Sequence, residues 1–150
     1  MRLSRRSRYG LLALFDLASR AGSQPVPLKE LAERNNIPYK FLEQIFRPLR
    51  SAGIVHSQAG AHGGYNLGRP AAEITLGAVV RLLDGTLSPV SCVSQIAYEP
   101  CTCPDERTCP LRGVMSRVRQ AIVAVMDNTT LADVVAGKFA GESDADAEAP

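Results

Sequence analysis

Residues 27–55, PLKELAERNNIPYKFLEQIFRPLRSAGIV, contain two short helical patterns joined by a polar turn. The first helix is predicted over 27–34 and ends at Asn35-Asn36, because asparagine tolerates the left-handed backbone that stops a helix. The second is predicted from Pro38 to about residue 52. Its apolar residues recur every three or four positions, as in an amphipathic helix: Leu42, Ile45, Phe46 and Leu49. Two short helices with so tight a connection predict a helix-turn-helix.

The flanking sequence completes a winged version of this motif. A first helix is predicted over 5–21, and its buried stripe is expected to comprise Tyr9, Leu12, Ala13, Leu17 and Ala18. Two short strands, 54–58 and 65–67, surround the glycine-rich tip AGAHGG. Further helices are predicted over 76–84, 110–127 and 131–138. The predicted fold class is mainly α with a small β wing: a winged helix-turn-helix plus a long C-terminal dimerisation helix.

The longest predicted helix, 110–127, has a sustained apolar seam. Its members are Leu111, Val114, Met115, Val118, Ile122, Val125 and Met126. Spacings of three and four over this length are typical of coiled-coil contacts. The seam could instead pack on the helical core of the same chain. We favour a homodimer, since a chain of 150 residues has little core left to cover this stripe.

Charge is unevenly distributed along the chain. Residues 1–70 hold 11 Lys and Arg against 4 Asp and Glu, whereas residues 71–150 hold 6 against 11. The basic half favours a polyanionic partner, with double-stranded DNA as the default. We therefore predict a DNA-binding winged helix-turn-helix region (1–70), a cysteine loop with dimerisation helices (71–138), and a disordered acidic tail (139–150) ending in GESDADAEAP.

All four cysteines fall within one short loop, at Cys92, Cys101, Cys103 and Cys109. Four prolines in the same segment exclude a regular helix or a central strand. A loop that gathers thiols is typical of a soft-metal or iron–sulfur site. This interpretation suits the cytoplasmic location that we expect, because reduced compartments favour cysteine ligands over structural disulfides.

The N-terminus is basic and then apolar, which superficially matches a secretory signal. Asp16 interrupts the apolar run, however, and no clean cleavage site follows. The other apolar stretches are too short to cross a bilayer. We therefore expect a cytoplasmic protein that makes no membrane contact.

Taken in order along the chain, these segments resemble the IscR-type winged-helix transcriptional regulators, which include iron, nitric-oxide and cysteine-metabolism regulators. The resemblance covers about residues 1–138. It rests on MRLSRRSRYGLLAL at the start, the helix-turn-helix quoted above, GGYNLGRP in the wing, and the cysteine loop followed by a long helix. It implies a homodimer that places the second helix of the motif in the DNA major groove at palindromic promoter sites.

Candidate DNA-binding residues follow from the predicted polar face of that helix: Tyr39, Lys40, Glu43, Gln44 and Arg47. Glutamine can pair with adenine and glutamate with cytosine, and the resemblance supports Glu43 and Gln44 as base readers. Arg2, Arg5 and Arg8 are expected to bind phosphates. An ordinary solvated helix face is the alternative.

The wing departs from the family pattern. Members often carry a basic residue just before the glycine tip, where this chain has Ala59 and Ala61. His62 and Gln58 are then the remaining polar candidates for a groove contact.

The resemblance also implies that three cysteines of the loop ligate iron, matching Cys92, Cys103 and Cys109. A histidine completes a 2Fe–2S site in some relatives, but Arg112 stands there and cannot be a ligand. An aspartate of the first helix completes a 4Fe–4S site in the nitric-oxide sensors, but Arg8 stands there. Cys101 is then the natural fourth ligand. Four thiolates suit either cluster, and analogy favours 2Fe–2S.

Three alternatives to a cluster remain: zinc, a thiol–disulfide switch and no cofactor. Structural zinc prefers paired C-x2–4-C spacings, which this loop lacks. We expect a Cys101–Cys103 disulfide to be strained.

The leading functional hypothesis is a non-enzymatic, DNA-binding regulator that senses iron–sulfur or redox status. The alternatives are an iron–sulfur electron-transfer protein and a cluster-free, thiol-switched repressor. No nucleotide-binding glycine loop, catalytic triad or H-E-x-x-H motif is present in the sequence.

Overall fold

The computed structural model describes residues 2–140. The helices are α1 (Arg5–Ser19), α2 (Leu28–Arg34), α3 (Tyr39–Ser51), α4 (Leu76–Asp84), α5 (Pro110–Asp127) and α6 (Leu131–Val135). The strands are β1 (Val55–Gln58) and β2 (Gly64–Leu67), and single 3-10 turns cover Ala71–Glu73 and Ser91–Val93. The predicted fold, mainly helical with a small wing, is confirmed.

The turn between α2 and α3 has the conformation that its asparagines predict. Asn36 adopts a φ of 53°, in the left-handed region where a helix stops. The chain then doubles back, and the amide of Ile37 donates to the carbonyl of Ala32 over 2.8 Å. Ile37 is buried beneath the turn, so α2 and α3 are held at a fixed angle.

One hydrophobic cluster joins the helix-turn-helix to the elements that follow it. In α3 the predicted positions fill this core, since Leu42, Ile45, Phe46 and Leu49 are each fully buried. The stripe predicted for α1 is partly wrong. Leu12 is 38% exposed, whereas Leu11 and Leu14 are buried. Because α1 packs against α3, α4 and α6, it buries a wider arc than one stripe.

The wing is a two-stranded antiparallel hairpin in which Val55 pairs with Leu67 and Gln58 with Gly64. A bridge between Val26 and Tyr65 attaches it to the segment before α2. Gly64 makes this close approach possible, because a Cβ there would lie 2.5 Å from the carbonyl oxygen of Val26.

The long helix α5 divides its apolar residues between two directions. Ile122 and Met126 pack against the core. Leu111, Val114, Val118 and Val125 are exposed in the single chain, by 61, 55, 38 and 63%. Arg81 of α4 joins the end of α5 through two hydrogen bonds to Asp127, of 2.6 and 2.8 Å.

The last helix is shorter than predicted and ends at Val135 rather than 138. Its start is fixed by a capping box in which Thr130 accepts from the amide of Asp133, and the Asp133 carboxylate accepts from Thr130 in return.

The boundary between the two predicted regions at residue 70 stays a prediction. Residues 141–150 of the predicted acidic tail lie outside the described part of the chain. Among residues 2–140, no helix is long and apolar enough to cross a membrane.

Candidate nucleic-acid interface and cysteine site

The predicted DNA-contacting residues of α3 share one face of that helix. Lys40, Gln44 and Arg47 are exposed, Tyr39 is 47% exposed, and Glu43 is half-buried. They lie opposite the fully buried face of the helix, so the core holds α3 while its polar side chains stay available.

The arginines of the N-terminus lie beside the start of this helix. Arg2, Arg5 and Arg8 are exposed around the first turns of α1, which Ser4 caps by accepting from the amide of Ser7. Tyr9 then packs edge-on against Phe41, with ring centroids 5.8 Å apart. This aromatic contact ties the arginine-bearing turns to the first turn of α3.

A charged network holds α1 against α2. Asp16 is only 10% exposed and lies 3.3 Å from Arg20 in an ion pair. Its other oxygen accepts from Arg34 and from Asn35 over 3.1 and 2.9 Å. Arg20 also donates to Glu30 over 2.6 Å, and this bond raises the pKa of Arg20. The network fixes the helix that positions α3.

The wing tip presents few charges. His62 and Gln58 are exposed, as are Ala59 and Ala61, which stand at the expected basic positions. The structure therefore brings only one imidazole and one amide to the tip.

All four cysteines converge in front of α5. Cys92 is buried in the 3-10 turn, and its sulfur lies within 4.8 Å of the Cys101 sulfur. Cys103 lies 3.9 Å, sulfur to sulfur, from Cys109, the residue before α5. A disulfide joins Cys101 to Cys103. Each of the four sulfurs thus lies next to at least one other: Cys92 to Cys101, Cys101 to Cys103, and Cys103 to Cys109.

Glu106 also lies beside these sulfurs. One of its carboxylate oxygens lies within 4.8 Å of the Cys92 and Cys101 sulfurs. The carboxylate accepts from the Cys101 amide over 2.8 Å and from the Tyr98 hydroxyl over 2.7 Å. These two bonds lower the pKa of Glu106. The hydrogen bond between Tyr98 and Glu106 also raises the pKa of Tyr98. Sequence spacing alone does not distinguish Glu106 from Glu99 and Asp105.

Arg112 has a structural role in the site. Its Nε donates to the carbonyl oxygen of Cys92 over 3.2 Å, which connects the first turn of α5 to the 3-10 turn. Arg112 therefore anchors the cysteine loop to the helix.

Comparison with known proteins assigns the chain to a family. The family model described as Rrf2, iron-dependent transcriptional regulator, matches residues 3–137. The chain belongs to the Rrf2 family of transcriptional regulators. The chain is therefore a DNA-binding winged-helix transcriptional regulator. This confirms the predicted family resemblance and the predicted role in DNA binding.

Two named kinds of Rrf2-family relative match almost the whole chain. The regulator CymR of Bacillus subtilis is 40% identical over 134 residues, covering 89% of both chains. The regulator IscR of Serratia proteamaculans is 36% identical over 135 residues, covering 90% of this chain and 79% of the relative.

Solved Rrf2-family structures show the same two kinds. The structure of B. subtilis CymR, described as the global cysteine regulator, superposes with a TM-score of 0.77 at 38% identity, covering 91% of this chain and 97% of that one. T. potens IscR superposes with a TM-score of 0.74 at 34% identity, covering 92% and 88%. Membership in the family establishes that the chain is a transcriptional regulator.

Proposed function

We propose that this protein is an IscR-type regulator that binds DNA as a homodimer and senses iron–sulfur or redox status through a cluster held by its four cysteines. The observation that carries the proposal is the convergence of all four sulfurs in front of α5, in a chain from a family of transcriptional regulators. An electron carrier would leave the basic winged-helix half without a role.

The donor set of this loop fits an iron–sulfur cluster. Once the Cys101–Cys103 disulfide is reduced, Cys92, Cys101, Cys103 and Cys109 offer four thiolates, which are the usual ligands of such clusters. We favour 2Fe–2S over 4Fe–4S by analogy with IscR. When bound, the cluster would supply a redox-active and oxidant-sensitive centre.

The same residues offer a physical route from the loop to the DNA-binding half. Cys109 directly precedes α5, and Arg112 in the first turn of α5 donates to Cys92. The far end of α5 is bonded through Asp127 to Arg81 of α4, and α4 packs on α1 and α3. Ligation that orders the loop can therefore bias the placement of α5 and, through the dimer, the spacing of two α3 helices.

In this proposal α3 enters the major groove, with Glu43 and Gln44 reading bases while Tyr39, Lys40 and Arg47 contact the groove edge. Arg2, Arg5 and Arg8 neutralise phosphates beside it. His62 is the one ionisable side chain that the wing tip offers. A homodimer paired along α5 would present two such surfaces to a palindromic site, about 34 Å apart.

A thiol-switched repressor without a cluster is the second candidate. It is favoured by one observation, the disulfide between Cys101 and Cys103, and it would act through the same loop and helix.

Replacing Cys103 by alanine separates these candidates. We expect the anaerobically purified variant to lose visible absorption and iron while remaining a folded dimer by circular dichroism and sedimentation. DNA binding, measured by fluorescence anisotropy on a selected operator, should then stop responding to oxidant. A wild-type protein that is colourless but still responds to oxidant would favour the thiol switch. An unfolded variant would make the metal structural and contradict the sensing proposal.

A further inference from the structure

Glu106 is oriented differently from the other acidic residues of the loop. Asp105 accepts from the amide of Arg107 and the hydroxyl of Thr108, which is a local turn. Glu99 is exposed. Glu106 alone among the three is half-buried and turned toward the sulfurs of Cys92 and Cys101.

Two hydrogen bonds hold the Glu106 carboxylate in this inward orientation. One comes from the backbone of Cys101 and the other from Tyr98, eight residues earlier in the chain. Metal-ligating carboxylates are commonly oriented by donors of this kind, which fix the oxygen before the ion arrives. The geometry therefore has both a candidate ligand atom and its supporting contacts.

The spacing of the three donor atoms is close to that of a single metal site. The two sulfurs and the carboxylate oxygen lie within 4.8 Å of one another. Tetrahedral coordination at a metal–sulfur distance of about 2.3 Å puts ligand sulfurs roughly 3.8 Å apart. Reduction of the Cys101–Cys103 disulfide frees the Cys101 sulfur to close the remaining gap of about 1 Å toward Cys92, which lies in the Ser91–Val93 turn.

We propose that Glu106 is a metal ligand, and that its carboxylate binds the same metal ion as Cys92 and Cys101. The inference rests on the proposed function for the identity of the natural metal, an iron of the cluster. The donor set itself, two thiolates and a carboxylate, also accepts borderline divalent ions such as Zn²⁺ and Co²⁺. An oxygen ligand of this type would add to the four thiolates of the proposed function and would replace none of them.

Cobalt binding tests the ligand directly, without cluster assembly. Reduced, metal-free protein is titrated anaerobically with Co²⁺, and the thiolate charge-transfer and d–d bands are recorded. Wild-type protein should show both. Glu106→Gln should bind Co²⁺ at least about tenfold more weakly and with shifted d–d bands, since one anionic donor is lost. Glu106→Cys should restore the affinity and increase the charge-transfer intensity, because a thiolate replaces the carboxylate.

Matched variants in the same loop control for charge and turn geometry. Glu99→Gln removes the same charge from an exposed position, and Asp105→Asn does so from the neighbouring residue while preserving its turn. Neither should change the Co²⁺ spectrum. An unchanged affinity and spectrum in Glu106→Gln would overturn the proposal. So would a weakened Glu106→Gln that Glu106→Cys does not rescue, because that pattern belongs to a residue that only positions the cysteines.

The outcome of the cobalt titration does not depend on whether the protein holds an iron–sulfur cluster. Iron and sulfide analysis of the anaerobic wild-type protein tests the cluster, whereas cobalt binding by the reduced apoprotein tests Glu106. A protein without iron that still loses Co²⁺ affinity in Glu106→Gln would retain the ligand assignment and reject the cluster.

Discussion

Glu43 and Gln44 are the residues on which sequence-specific binding by this regulator should depend. Both lie in the second turn of α3, on its polar face. Replacing either residue by alanine should reduce discrimination between the operator and an operator mutated at the contacted base pair by about 1–3 kcal/mol. This is the usual contribution of a bidentate contact between a side chain and a base edge. Selection from a random DNA library, followed by anisotropy titration, would measure this. Uniform weakening on all sequences would contradict a base-reading role.

Arg5 should behave in the opposite way. A phosphate contact carries no sequence information, so Arg5→Ala should weaken binding equally on all DNA sequences. It should also reduce the slope of log affinity against log salt by about 1. Arg107→Ala, which removes a charge from a side chain that is 93% exposed in the cysteine loop, is the matched control and should leave the slope unchanged.

Gly64 limits how closely the wing can approach the segment before α2. A Cβ at this position would lie 2.5 Å from the oxygen of Val26 and 2.7 Å from the nitrogen of Pro27. Because these are backbone atoms, they cannot move aside cheaply. Gly64→Ala should therefore lower the free energy of unfolding by about 1–3 kcal/mol in urea denaturation. Ala61→Ser at the exposed tip should have no such effect, and equal stability of the two variants would contradict the packing account.

Residue-level expectations succeeded where one local rule decides the outcome. The periodicity of α3 fixes which side chains face the core, and asparagine fixes the left-handed turn at Asn36. Leu12 was assigned wrongly, because its exposure depends on which other helices surround α1. Glu106 could not be singled out, because its orientation depends on hydrogen bonds from Cys101 and Tyr98 that no spacing encodes.

At the scale of elements, the contact between α4 and α5 depends on Arg81 and Asp127. Their two hydrogen bonds lower the pKa of Asp127. Because the pKa of Asp127 is lowered in the folded state, the pair stabilises the fold above about pH 4, the pKa of a free aspartate. This stabilisation is lost as the pH falls through the pKa of Asp127 in the folded protein. Asp127→Asn should therefore reduce stability at neutral pH by about 1 kcal/mol, since the pair is partly exposed.

Urea denaturation of metal-free protein at pH 7 and at pH 3 would test this. The difference between wild type and Asp127→Asn should be present at pH 7 and should shrink at pH 3. Gly77→Ala offers a second route, because a Cβ there would overlap the Asp127 carboxylate and displace it. Glu73→Gln, at an exposed position, is the control. A difference that stays constant with pH would exclude the ion pair as its cause.

Element boundaries were predicted closely where a chemical signal marks them. Pro110 opens α5, Thr130 caps α6 and Gly85 follows α4, close to the predicted ranges 110–127, 131–138 and 76–84. The end of α6 was predicted three residues too late. Gly137 takes a positive φ of 76° in the turn after it, a conformation that this glycine permits and that periodicity does not report.

For the whole molecule, dimerisation along α5 is the prediction with the largest consequence. The exposed side of this helix carries Leu111, Val114, Val118 and Val125. An aspartate at position 118 would place an unpaired charge in the paired seam. Val118→Asp should therefore weaken dimerisation by at least about 2 kcal/mol, roughly 30-fold. Sedimentation equilibrium would measure it.

Val135→Asp is the matched control, since Val135 of α6 is apolar and similarly exposed, at 42% against 38% for Val118. It should leave the dimer intact. A wild-type monomer, or equal effects of the two variants, would contradict pairing through α5. The sequence shows the apolar seam of α5 but not which surface covers each of its residues. Ile122 and Met126 of this seam pack on the chain's own core.

The central claim is that the four cysteines hold an iron–sulfur cluster, and metal analysis of the anaerobically purified protein tests it most directly. Visible charge-transfer absorption with iron matched by sulfide, about two of each per chain for a 2Fe–2S centre, is the expected result. A colourless protein that contains zinc or no metal would contradict the cluster sensor. It would leave the DNA-binding regulator to act through its thiols.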